Sequence, residues 1–337
     1  MQNTKRWTLR PEGSNWGDFG PDDQLGTLNY LGQTERLTAH QEVKEGLSFS
    51  LSLPLTVPYE PVLNPRRKPP VIKPSNKNGT LVFNYPLAHD APGATDVISD
   101  DIVTLSPQYS TQWDALGHVG SLYDAFGDGQ VKPMGYNGFQ VHSQGSLDPD
   151  NFAGAEALSI TPVATHGVQG RGVLIDLRFH FGDEFRTISF HDLMHVITTD
   201  HIQIQRGDIV CLHTGLSDLA LSLPANEQDR LKSSCCALDG NDQELLNWIS
   251  ETKIAAIAAD NHAVERRNYS LQGKLGAMLP LHEHCLFKLG LPLGELWHLT
   301  PLARWLRDHG RHAFLLTAAP IYLPGLVGAP VNPIATV

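Results

Sequence analysis

Residues 107–118 read PQYSTQWDALGH and concentrate groups able to do chemistry. Gln108, Gln112 and Asp114 lie at i, i+4 and i+6, and His118 follows Asp114 by four. On a strand and the turn after it, Gln112 and Asp114 share one face. The segment thus offers two amide oxygens, a carboxylate and an imidazole. The carboxylate suits a divalent cation, and the imidazole titrates near neutrality, as a general acid or base must. Taken alone, Asp114 reads equally well as a turn residue and His118 as a hydrogen-bonded core histidine.

A second polar set lies far along the chain in LPLHEHCLFKLGLPLGELWHL, where His282 and Glu295 are thirteen residues apart. One histidine plus carboxylates is a donor set that a divalent metal takes. Asp114 is the natural third member. Trp113 neighbours the first set and is expected to contact the substrate. Phe83, with Trp16, Phe19 and Tyr123, is a candidate for a flat apolar wall against a substrate.

Other features read as structural. His191 and His195 in HDLMH sit at i, i+4, but the glutamate of a metalloprotease helix is missing. Gly170 and Gly172 precede a strand rather than the helix that a phosphate cradle needs. Ser217 in TGLSD lacks a nucleophile-elbow pattern. Asp22-Asp23 fits turn chemistry, and His284 reads as packed or exposed.

These residues need a scaffold, and apolar runs supply one. RGVLIDL (171–177), DIVCLH (208–213), IAAIAA (254–259) and HAFLLTAAP (312–320) fit buried strands. LSFSLSL alternates as a half-buried strand. Thr34 is expected to cap a short helix ending before Gly46. Ser189 and Asp192 form a capping box at the head of FHDLMHVI. Thr300 as N-cap, Pro301 at N1 and Gly310 at the stop predict a helix over LARWLRDH. The alternation predicts an α/β fold: a single large domain with a mixed β-sheet flanked by helices. Residues 1–45 read as a turn-rich segment packed on that core through Trp16, Phe19 and Leu25. Residues 46–337 form the domain itself, with a Pro-rich surface loop at 54–79 that carries Arg66-Arg67-Lys68.

The chain has 337 residues and a net charge of −11. That length allows two domains or one large one at about 150 residues each. The acidic balance, without a basic stripe, argues against nucleic acid and anionic membrane as partners. No apolar run approaches the ~20 residues of a membrane span, and the N-terminal residues lack the apolar stretch of a secretory signal. Cys211, Cys235, Cys236 and Cys285 fit no zinc or disulfide framework, so they are expected as reduced thiols in the cytoplasm.

PQYSTQWDALGHV, HGVQGRGVLIDLR, GDIVCLHTG, AAIAADNHAVE, LPLHEHCLFKLGLPLGEL and AAPIYLPGLVGAPVNP, in this order, resemble the cyclase-like metal-dependent hydrolases. That family includes kynurenine formamidase and isatin hydrolase. The resemblance is closest to its long-chain branch with a Thr-Gln-Trp-Asp motif. It implies a swivelling β/β/α fold and a homodimer or homotetramer. It implies Asp114, His282 and Glu295 as metal ligands and His118 as acid/base. It also implies His262 and Glu265 as pocket or supporting residues. Gln108 and Gln112 stand where better-known members carry two further histidine ligands. An amide oxygen is neutral and harder than imidazole. The expectation is one divalent ion, Mn or Zn, with Mg or Ca as alternatives. Gln112 and Gln108 would ligate it or orient its water.

The function implied is hydrolysis of an amide, lactam, imide, formamide or lactone in a small, cyclic substrate. Two other readings stay open at this point. One is a metal-independent isomerase, dehydratase or cyclase working through Asp114 and His118. The other is a non-catalytic binding protein on the same scaffold.

Overall fold

The structure is a computed structural model that describes residues 6–142, 148, 152–267, 271, 273 and 275–337. Residues 1–5, at the head of the turn-rich segment, lie outside the described residues.

The four apolar runs form neighbouring strands in one nine-stranded mixed sheet. Its order is Ser48–Ser50, Ile334–Thr336, Ala313–Thr317, Gln169–Asp176, Ile209–His213, Ala256–Ala259, Leu293–Glu295, Gln112–Asp114 and Gly328–Pro330. The central strands from Gln169–Asp176 to Leu293–Glu295 run parallel. Gln112–Asp114 and Gly328–Pro330 then pair antiparallel. Parallel central strands need cover on both faces, which explains their continuous apolar character.

Alternation along these strands divides the core in two. Val173, Ile175, Val210, Leu212, Ile257 and Ala259 join one apolar cluster. Leu174, Ile209, Cys211, Ala256 and Ala258 join the other. Helices Phe190–Thr199, Gln243–Thr252 and the Pro280–His282 turn pack into the first cluster, through Leu193, Leu245 and Leu281. Helix Thr300–Asp308 packs into the second through Leu302 and Leu306. The turn-rich N-terminal segment is anchored by Trp16, which is buried and donates its indole N–H to the Phe287 carbonyl at 2.8 Å.

Local details depart from expectation in three places. Gly32, not Thr34, caps the helix Gln33–His40, and the Glu35 carboxylate accepts the Gly32 N–H. Leu299, not Thr300, is the cap of Thr300–Asp308. The Thr300 hydroxyl instead meets His213 Nε2 at 3.0 Å. The Pro-rich stretch is not loop throughout, because Val71–Lys77 is a strand between Thr80–Val82 and Asp101–Thr104. Pro74 is tolerated there because partners change beside it. Residues 71–74 pair with 101–104, and residues 75–77 pair with 80–82.

No helix among the described residues is long and apolar enough to cross a membrane.

Candidate active site

Strand register builds the first half of the site. Gln112 lies opposite Glu295, Trp113 opposite Gly294 and Asp114 opposite Leu293. Gln112, Asp114 and Glu295 therefore project from the face covered by the first cluster. Trp113 projects from the other, which corrects its expected role against substrate. Its indole N–H donates to the Ala318 carbonyl at 2.7 Å, and its ring meets Trp297 edge-on at 5.0 Å. On the far side of the strand Asp114 lies opposite Gly328. A Cβ there would come within 2.5 Å of the Gln108 side chain. Glycine is what lets Gln108 lie across the strand.

His282 completes the centre. It ends the short Pro280–His282 turn, which continues as a π-helical turn over Glu283–Leu289. Such turns often accompany functional sites. His282 Nδ1 meets Glu265 Oε1 at 2.7 Å, and the same carboxylate accepts the backbone N–H groups of Leu281 and His282. That leaves Nε2 to face Glu295 Oε1 at 3.3 Å and Asp114 Oδ2 at 3.9 Å. One ligand atom from each of Asp114, His282 and Glu295 lies within 4.8 Å of the others, and all three residues are buried.

The two glutamines act on these carboxylates through their N–H groups. Gln108 Nε2 donates to Asp114 Oδ1. Gln112 Nε2 reaches Asp114 Oδ1 at 3.3 Å and Glu295 Oε2 at 3.1 Å. Gln108 and Gln112 thus each turn an amide N–H to the carboxylates of the centre. A carboxylate charge attracts the amide N–H and repels its oxygen. Asp114 Oδ2 and Gln112 Oε1 are buried with no hydrogen-bond partner. Buried polar atoms are seldom left so.

The electrostatics favour a cation at this point. Burial opposes charge on His282, but its bonds to Glu265 and Glu295 push its pKa up to about 10. Burial also opposes charge on Glu295, yet His282, His262 and Arg67 hold its carboxyl well below the usual range. Burial pushes the Asp114 carboxyl up. Three buried carboxylates thus surround one imidazole. Two oxygens and one nitrogen within 4.8 Å of one another suit an ion that holds its ligands at about 2.1 Å. The donor set, the orphaned Asp114 oxygen and the spacing all fit a divalent metal.

His118 stands at the rim, its side chain 21% exposed, with Nε2 4.0 Å from Asp114 Oδ1. Its ring lies 6.4 Å from that of His282. Arg67 comes from the Pro-rich loop and was not singled out from the sequence. Its Nη1 donates to the Gln108 carbonyl at 2.8 Å and stands 3.9 Å from Glu295 Oε2, while Nη2 is 3.5 Å from His118 Nε2. The only sequence signal was the basic cluster itself, and its distance along the chain hid the connection.

His262 lies in the wall of a cavity of about 250 Å³ beside the centre. Val62, Leu63 and Pro65 line it, together with Glu265, the residue that grips His282. Phe83 is not part of that wall. It is 57% exposed on the arm that follows Thr80–Val82, which corrects its expected place at a substrate. Trp16 and Tyr123 pack edge-on against Phe287 in the core, at 5.1 and 5.9 Å. His191 and His195 lie on the helix Phe190–Thr199, and His284 is packed against Ser250.

Comparison with known proteins agrees with this architecture. Residues 49–266 match the family described as "Putative cyclase". A solved structure described as a novel cyclase is 32% identical, with 96% of this chain and 99% of that chain covered and a TM-score of 0.76. Isatin hydrolase A from Ralstonia solanacearum is 14% identical over 88% of this chain and 93% of its own, with a TM-score of 0.52. Isatin hydrolase A from Labrenzia aggregata, bound to benzyl benzoate, is 14% identical over 90% and 98%, with a TM-score of 0.53. No curated protein matches the sequence.

Proposed function

The chain belongs to the cyclase family, and on that premise we propose that it is a metal-dependent hydrolase of a small, cyclic substrate. The bond cleaved is the C–N bond of an amide, lactam, imide or formamide, or the C–O bond of a lactone. The observation that carries this reading is the convergence of buried Asp114, His282 and Glu295 beside the partly exposed His118. The solved neighbours named as isatin hydrolases support it at the level of reaction class.

Asp114, His282 and Glu295 would hold the divalent ion, Mn or Zn by donor type, with Mg or Ca as alternatives. When bound, it polarises a carbonyl and makes water more acidic. Glu265 fixes the His282 tautomer so that Nε2 faces inward. Gln108 and Gln112 hold the outer carboxylate oxygens and so aim the inner ones.

His118 Nε2 takes a proton from the attacking water and returns it to the leaving nitrogen or oxygen. A C–O bond forms at the carbonyl carbon, the C–N or ring C–O bond breaks, and a carboxylate plus an amine or alcohol results. Arg67 keeps guanidinium donors beside His118, where negative charge grows on the carbonyl oxygen. The loop that carries Arg67 also supplies Val62, Leu63 and Pro65 to the wall of the neighbouring cavity.

The test is a panel of cyclic amides, imides and lactones with the metal-loaded protein and with His118→Ala. The reading expects turnover that falls by about a hundredfold or more in the variant. Turnover that persists in a metal-stripped protein would favour acid–base chemistry by Asp114 and His118 instead.

We further propose a homodimer or homotetramer. The arm formed by Val71–Lys77, Thr80–Val82 and Asp101–Thr104 leaves Val71, Ile72, Leu81, Ile102 and Val103 more than half or half exposed. A second copy would cover them. Sedimentation at micromolar concentration should give a mass of two or four chains, and a monomer would refute it.

A further inference from the structure

The cavity beside the centre has a chemical sign. Arg267 Nη1 donates to the Leu63 carbonyl at 2.7 Å and stands 3.0 Å from His262 Nδ1. A guanidinium only donates, so Nδ1 must be the accepting nitrogen. His262 then carries its proton on Nε2. That atom is buried and has no partner. Burial holds the His262 pKa down at about 3, so the ring is neutral at neutral pH and keeps this tautomer.

Three groups that can only donate therefore gather on one side of the site: His262 Nε2–H, the Arg267 guanidinium and the Arg67 guanidinium. Among the described residues, neither guanidinium reaches a carboxylate within hydrogen-bond distance, and the nearest approach is Arg67 to Glu295 at 3.9 Å. Partial burial lowers the Arg267 pKa. Glu295 counteracts this, and the charges of Arg67 and Arg66 reinforce it. The rest of the wall is mixed. Leu63, Pro65, Phe185 and Leu216 give an apolar side, and Lys232 and Arg266 add cationic groups. Its one carboxylate among the described residues, Glu265, is taken up by His282 and the backbone N–H groups of Leu281 and His282.

We infer that the substrate carries a carboxylate separate from the bond that is cleaved, received by Arg267 and His262, with an apolar body against Leu63, Pro65 and Leu216. Arg67, which meets His118, is also near enough to act electrostatically on both His262 and Arg267. A planar guanidinium matches a carboxylate in geometry and charge. This rests on the hydrolase reading for the position of the reacting bond, but the anion subsite itself does not need it.

The probes are 3-phenylpropionate and 3-phenylpropan-1-ol, which share a body and cannot be hydrolysed. Calorimetry with the full chain should give at least tenfold tighter binding of the acid, about 1.4 kcal/mol. In Arg267→Gln and in His262→Phe the ratio should fall toward one. Arg267→Lys, which keeps the charge and loses the fork, should fall between, and it guards against a misfolded Gln variant. In His282→Ala the preference should persist. Equal binding of acid and alcohol would overturn the inference. So would a preference lost in His282→Ala but kept in Arg267→Gln, because the acid would then be sitting on the metal. An acid preference without hydrolysis of any carboxylated amide would sink the hydrolase reading alone. Hydrolysis of neutral amides with no acid preference would sink only this inference.

Discussion

Glu265 Oε1 lies 2.7 Å from His282 Nδ1, and the same carboxylate accepts the His282 backbone N–H at 2.9 Å. One buried carboxylate thus fixes both the ring and the chain of the histidine that faces Asp114 and Glu295. A ligand held so firmly loses little entropy when an ion arrives, and its basicity is raised.

Glu265→Gln keeps the size of the side chain and removes its charge. Metal affinity should fall about ten- to a hundredfold, read by competition with a chromogenic chelator. An unchanged affinity would mean that Glu265 serves only the turn at Leu281 and His282.

Trp113→Phe separates packing from catalysis. The indole N–H to Ala318 is lost, and a buried carbonyl is left without its partner. Stability should drop by about 1–3 kcal/mol in urea unfolding, with kcat/KM unchanged. A large fall in kcat/KM at intact stability would return Trp113 to the substrate.

All four thiols are buried. Burial raises each of their pKa values, that of Cys235 to about 12. A thiol held so far from its thiolate form reacts slowly. A disulfide exchange reagent should therefore modify none of them within minutes in the native protein and all four in guanidinium chloride. Rapid native labelling, coupled to loss of activity, would point to thiol chemistry at the cavity where Cys235 and Cys236 lie.

The sheet was legible because its central strands are parallel and apolar on both faces. IAAIAA and DIVCLH have no other use. Asp114, His118, His282 and Glu295 were legible from spacing within two short segments and from the resemblance those segments carry. Trp113 was misread although the signal was present. If Gln112 and Asp114 share a face, the residue between them must take the other. Phe83 carried no positional signal, and its arm turns it to solvent. Arg67 was seen only as part of a basic cluster. Its approach to Gln108 spans 41 residues and depends on how the loop folds back, which no local pattern encodes. For the glutamines the sequence offers two roles, ligating the ion or orienting its water. Their N–H contacts to the carboxylates appear only once the strand register places Gln112 opposite Glu295.

The central claim is that Asp114, His282 and Glu295 hold a divalent ion on which turnover depends. The most direct measurement is elemental analysis of protein purified without added metal or chelator, beside His282→Ala prepared in the same way. The account predicts one divalent ion per chain in the first and none in the second. It also predicts a thermal stability that rises when Mn or Zn is returned to stripped wild type and stays flat in the variant. Wild type without metal, and without stabilisation by any divalent ion, would contradict it.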